Sequence, residues 1–195
     1  MNLAPSDISA NAARTVDSEA NPPPALLVIG YGNTLRNDDG VGPRAVETLE
    51  TLALQAVTTL SCALLTPELA EAVSRAHTVV FVDAAMDSPQ EVRLRKLAPA
   101  DSSQMTAHAA SPATILALAR DVFGHAPEAW VLTIPATDLG VGERLSPLAE
   151  SGLALAVQWL EHFAKERSHA SGAGTASSPS ICLVTVVRGT GRPRP

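Results

Sequence analysis

Two short stretches constrain this chain most, because neither alternates apolar with polar residues. Ala25-Leu26-Leu27-Val28-Ile29-Gly30 is continuously apolar and stops at glycine. Thr78-Val79-Val80-Phe81-Val82 is β-branched, uninterrupted and closed by Asp83. A strand of this kind is buried on both faces, so helices must cover the sheet above and below. The remaining pattern supplies them. Pro43 suits a first helical turn, and Ala45, Val46, Leu49 and Leu52 follow on one helical face. A weaker strand is expected around Val57–Leu65, and Pro67 opens a second helix with Leu69, Ala72 and Val73 inward. Val92–Leu97 alternates apolar with basic residues, as a half-exposed edge strand does. Ser111-Pro112 and Ser146-Pro147 each read as an N-cap followed by proline at the first helical position. Between them lies a strand over Trp130–Ile134, and the last helix runs through Leu153, Val157, Leu160 and Phe163 to about Arg167. Strands alternating with helices predict an α/β three-layer sandwich: a mostly parallel, twisted sheet with helices on both faces. Functional groups then gather beyond the carboxyl ends of the strands.

The length of 195 residues suits one domain with tails. Residues 1–24 read as a flexible N-terminal segment, 25–167 as the folded unit, and 168–195 as a low-complexity linker with a C-terminal appendage. Two readings of Ile181–Val187 stand, an added edge strand or part of the appendage. Aromatic residues are 3% of the chain, so Val, Leu, Ile and Ala must fill the core. A net charge of −6 without a basic run argues against nucleic acid and anionic membranes as partners. Cys62 and Cys182 form no CxxC pair, so neither a disulfide framework nor a zinc site is expected. Residues 1–24 lack the apolar core of a secretory signal, and no stretch reaches the roughly 18 apolar residues of a membrane span. The expected location is the cytoplasm.

The segment after the first strand carries the chemistry: Gly30-Tyr31-Gly32-Asn33-Thr34-Leu35-Arg36-Asn37-Asp38-Asp39-Gly40-Val41-Gly42. It is not a dinucleotide fingerprint, because Leu35 stands where the third glycine is needed, and no Gly-Lys-Ser/Thr makes it a phosphate loop. Two carboxylates at a helix start are also the wrong charge for a pyrophosphate. Asp38 suits a helix cap. One carboxylate is enough for that, which leaves Asp39 for the pocket rim, while Gly30, Gly32, Asn33, Gly40 and Gly42 shape the loop. Asp83, followed by the small Ala84 and Ala85, faces the same rim. His108, ahead of the Ser111-Pro112 helix start, can return to it. Asp39, Asp83 and His108 form an O,O,N set suited to a borderline divalent ion such as nickel or zinc. A Mg-dependent phosphoacceptor domain would share the acids but needs a lysine from a late strand, and Trp130–Ile134 has none.

In this order, the GxGNxLxxDDGxG segment, the strand closing on Asp83, the His108 loop and Gly142-Glu143-Arg144-Leu145-Ser146-Pro147 resemble the hydrogenase maturation proteases. The resemblance covers roughly Leu26 to Phe163. These endopeptidases remove a C-terminal extension from the large subunit of nickel–iron hydrogenases. The resemblance implies metal ligation by Asp39, Asp83 and His108. It implies aspartic-type hydrolysis at Asp39 with Asp38 beside it. The implied partner is a nickel-loaded large-subunit precursor that brings its own nickel, bound transiently, with no organic cofactor. A non-catalytic nickel-binding accessory protein could use the same three ligands. The chain departs from the family at Leu64-Leu65-Thr66-Pro67-Glu68-Leu69-Ala70, where many members are glycine-rich; this bears on which hydrogenase is served.

Overall fold

The computed structural model describes residues 23–55, 57–86, 91–101 and 111–170, with side chains to 167. Five strands form one sheet: β1 (Leu26–Tyr31), β2 (Val57–Cys62), β3 (Thr78–Ala85), β4 (Arg93–Leu97) and β5 (Glu128–Pro135). Four helices join them: α1 (Val41–Thr51), α2 (Leu69–Arg75), α3 (Pro112–Phe123) and α4 (Pro147–Ala170). The strand order is β2-β1-β3-β5-β4. β1 pairs in parallel with β2 and β3, and β3 with β5, while β4 lies antiparallel on β5. This is the expected three-layer arrangement.

The strands divide their side chains by parity. Leu26, Val28, Val80, Val82, Leu132 and Ile134 pack under α1 and α4, with Val46, Leu49, Leu160 and Phe163. Leu27, Ile29, Val79, Phe81, Ala129 and Val131 pack under α2 and α3, with Val73, Ile115 and Leu116. Successive residues of a strand point to opposite faces, so an unbroken apolar run fills both layers at once.

The starts of α3 and α4 follow the expected chemistry, whereas α1 starts after Gly40 with no side-chain cap, so Asp38 does not cap it and instead bonds the 137–146 loop. Ser111 Oγ accepts from the Thr114 amide at 3.2 Å, with Pro112 in the first turn, and Gly124 ends α3 in the left-handed conformation at φ 77°. Ser146 Oγ likewise accepts from the Ala149 amide at 3.2 Å at the start of α4. Several bounds differ from the sequence reading. α2 begins at Leu69, because Thr66 and Pro67 carbonyls accept from Leu69 and Ala70 in a tight turn first. β2 stops at Cys62, where β1 ends opposite it at Tyr31. α4 extends to Ala170; Arg167 on it donates to Thr78 Oγ1 at 2.6 Å and to Glu128 Oε2 at 2.5 Å. These contacts clamp α4 to the amino ends of β3 and β5. Residues 1–22 and Ile181–Val187 lie outside the described residues. No helix among the described residues is long and apolar enough to cross a membrane.

Candidate active site at the sheet switch point

β1 and β3 are adjacent parallel strands whose following connections leave in opposite directions along the sheet. The chain after β1 goes to β2 on one side, and the chain after β3 goes to β4 and β5 on the other. Such a switch point opens a crevice beyond the carboxyl ends of the strands. The β1–β3 register ends at Gly30 opposite Val82, whereas β3 continues beside β5 through Asp83, Ala84 and Ala85. Asp83 therefore lies within β3 rather than at its end. It is the first residue of that strand beyond its pairing with β1, and it stands at the mouth of the crevice.

Tyr31 and Asp83 share the parity of Ile29 and Phe81, so both side chains lie on the α2–α3 face. The Tyr31 hydroxyl donates to Asp83 Oδ2 at 2.6 Å. Burial pushes the Asp83 carboxyl above the ordinary range; the bonds from Tyr31 and the Ala84 amide pull it down, and the charge on Asp39 pushes it up again. Asp39 thus acts electrostatically on Asp83 across the crevice. Burial, and then the charge of Asp83 and its hydrogen bond, hold the Tyr31 hydroxyl far above its usual range, so it stays protonated as a donor.

Asp39 is half-buried in the 3-10 turn Asn37–Gly40, and its Oδ2 accepts from the Asn33 amide at 3.0 Å. Asn33 Oδ1 in turn accepts from the Leu35 amide at 2.9 Å. The loop curls back on itself so closely that a Cβ at Gly32, φ 137°, would stand 2.0 Å from the Asp39 carbonyl. Gly42 plays the part that Leu35 cannot. A Cβ there would lie 2.5 Å from Val82 O and 2.6 Å from Tyr31 O, so only glycine lets α1 rest against β1 and β3. Gly42→Ala should cost about 3 kcal/mol or more, since both obstacles are backbone atoms that cannot rotate away. Chemical denaturation of parent and variant would read this directly.

Asp38 is fully buried and its oxygens accept four hydrogen bonds. The Thr137 and Asp138 amides donate to Oδ2 at 2.8 and 3.0 Å, the Ser146 amide to Oδ1 at 2.6 Å and the Ser146 hydroxyl to Oδ2 at 2.8 Å. Burial opposes its ionisation, but these donors outweigh burial and hold its carboxyl below the usual range. Asn37 reinforces the tie: its amide donates to Gly142 O at 2.8 Å, its Nδ2 to Asp138 Oδ2 at 2.9 Å, and its Oδ1 accepts from the Arg144 amide at 3.2 Å. The stretch 142–147, legible in the sequence only as part of a resemblance, is thus the scaffold that holds the acidic loop. The structure brings Asp39 and Asp83 to one crevice and turns Asp38 away into the 137–146 loop. His108 lies outside the described residues, and among those described no three His, Cys, Asp or Glu side chains cluster as a metal site. Sequence reasoning misses Tyr31; its parity with Asp83 on a neighbouring strand is the signal that could find it.

Comparison with solved structures gives the same architecture. The maturation protease HycI from Thermococcus kodakarensis superposes with a TM-score of 0.59 at 18% identity, covering 73% of this chain and 93% of that one. The maturating endopeptidase HybD from E. coli superposes at 0.57 and 21% identity, covering 76% and 93%. HybD from Thermococcus kodakarensis superposes at 0.55 and 24% identity, covering 71% and 98%. The fold is that of the hydrogenase maturation proteases. No protein-family model and no curated protein matches the sequence. The likeness spans nearly the whole of each of these proteases.

Proposed function

We propose that this chain is a cytoplasmic endopeptidase that removes the C-terminal extension of a nickel–iron hydrogenase large-subunit precursor, recognising nickel already inserted in it. The observation that carries the reading is the carboxylate pair Asp39 and Asp83 at the switch point of this particular fold, reached through the GxGNxLxxDDGxG loop. Nickel belongs to the substrate in this scheme. Two carboxylates supply hard oxygen donors that complete the coordination of an ion held mainly by the precursor's own ligands, and His108 would add an imidazole. Without the ion, burial and then the charge of Asp39 hold the Asp83 carboxyl above its ordinary range. A cation beside the pair opposes that shift at Asp83. A half-buried carboxylate pair of this kind can bind the ion or pass a proton to and from water, which is what an aspartic-type hydrolysis requires. Asp38 is a positioning residue, because its oxygens are occupied by the 137–146 loop.

The phosphoacceptor alternative fits poorly. Lys96 on β4 reaches Glu128 Oε1 at 3.3 Å, at the amino end of β5 and away from the acids. The deciding experiment incubates the purified chain with nickel-loaded and nickel-free precursor and follows subunit mass. Shortening of the loaded form alone is expected. A loaded precursor left intact by folded protein would favour a nickel-binding accessory protein, and cutting of the nickel-free form would remove nickel recognition from the reading.

A further inference from the structure

We propose that Tyr31 is a positioning residue of this site: its hydroxyl orients the Asp83 carboxylate for a divalent cation. The inference rests on the cation-recognition reading above and assigns it a residue outside the acidic loop. Three observations carry it. The bond from the Tyr31 hydroxyl to Asp83 Oδ2, at 2.6 Å, joins β1 and β3 where their ladder has ended, so it spans the crevice itself. The Tyr31 ring packs against the apolar layer under α2 and α3, which fixes the direction from which the hydroxyl arrives. Both partners are half-buried, so water does not readily replace the donor. A carboxylate has about four acceptor positions. One is committed to Tyr31 and one to the Ala84 amide, which sets the rotation of the group and leaves the remaining positions for a cation shared with Asp39. A neutral donor is suited to this task, since it orients the carboxylate without cancelling the charge that attracts the ion. Outer donors of this kind are worth about 10- to 100-fold in metal affinity.

The chain contains one tyrosine, so its ring signal belongs to Tyr31 alone. Titration of the full chain with Ni²⁺ by calorimetry is expected to give about 10- to 100-fold weaker binding for Tyr31→Phe than for the parent. The thermal midpoint should stay near the parent's, because the ring and its packing remain. In the parent protein, Zn²⁺ used as a diamagnetic probe should shift the Tyr31 ring carbon resonance with the same midpoint as binding, and Asp83→Asn should abolish that shift. This last readout needs no Tyr31 variant to fold. If Asp83→Asn and Asp39→Asn bind Ni²⁺ like the parent, or the parent binds none, the inference fails, while the cleavage assay, in which the precursor's own ligands hold the ion, tests the proposed function separately. If those two variants lose binding while Tyr31→Phe stays within about twofold of the parent, or the ring signal stays still, the reading stands and the role of Tyr31 is overturned.

Discussion

Asp39→Asn and Asp83→Asn should each lower precursor processing by about 100-fold or more, exceeding the usual loss for an outer-sphere donor. Neither should lower the melting temperature appreciably. Asparagine keeps an acceptor for the Asn33 amide at position 39 and for the Tyr31 hydroxyl at position 83. For Asp83 the linkage has a definite sign. Its folded carboxyl titrates above the ordinary range, so ionisation is disfavoured in the folded state and the charge costs stability at neutral pH. Removing that charge should leave the protein as stable as the parent or slightly more so, while activity is lost. Such a pairing marks a group kept for function rather than for folding. Cleavage assays on nickel-loaded precursor beside thermal melts would show it. Near-parental cleavage by either variant would mean that the carboxylate pair is not the working centre.

The opposite signature is expected one residue earlier. Asp38→Ala should destabilise the protein by about 3 kcal/mol or more, because it strands the donors of Thr137, Asp138 and Ser146 that converge on this carboxylate. The loop 137–146 and the start of α4 should loosen together, and processing should fall because Asp39 loses its support. The Asp38 carboxyl is held below its ordinary value in the folded state. Its stabilisation is therefore fully present above the unfolded value of about 3.9 and lost as pH falls through the lower folded value. The stability gap between the parent and Asp38→Asn should be widest near neutral pH and should narrow in acid. Urea unfolding at several pH values measures that gap, and a gap independent of pH would mean that the carboxylate is not ionised in its nest of donors.

These contrasts explain why neighbouring aspartates are hard to tell apart in a sequence. Asp38 and Asp39 share a turn, and their sequence context favours a cap for the first and a rim position for the second. The burial of Asp38 under residues about a hundred positions later has no local signature. The value of Ser146 is half legible: Ser-Pro marks a helix start, but not that the same hydroxyl donates to Asp38. The packing glycine is likewise visible as Gly42, yet what it packs against, the carbonyls of Tyr31 and Val82, belongs to two strands that meet only in the sheet.

Local pattern is sufficient for the class of fold. Runs apolar on every residue require cover on both faces, proline and serine mark helix starts, and alternation of the two elements leads to a parallel three-layer sheet. It is also enough to place Asp39 and Asp83 near the carboxyl ends of strands. Strand order is beyond it, because a periodicity says which face a residue shows and never which strand lies beside it. Only the tertiary structure sets β1 next to β3, and so decides that the crevice opens between Tyr31 and Asp83. It also decides that Asp38 faces inward to a distant loop while Asp39 remains at the rim, since both outcomes depend on donors brought together by the closed fold.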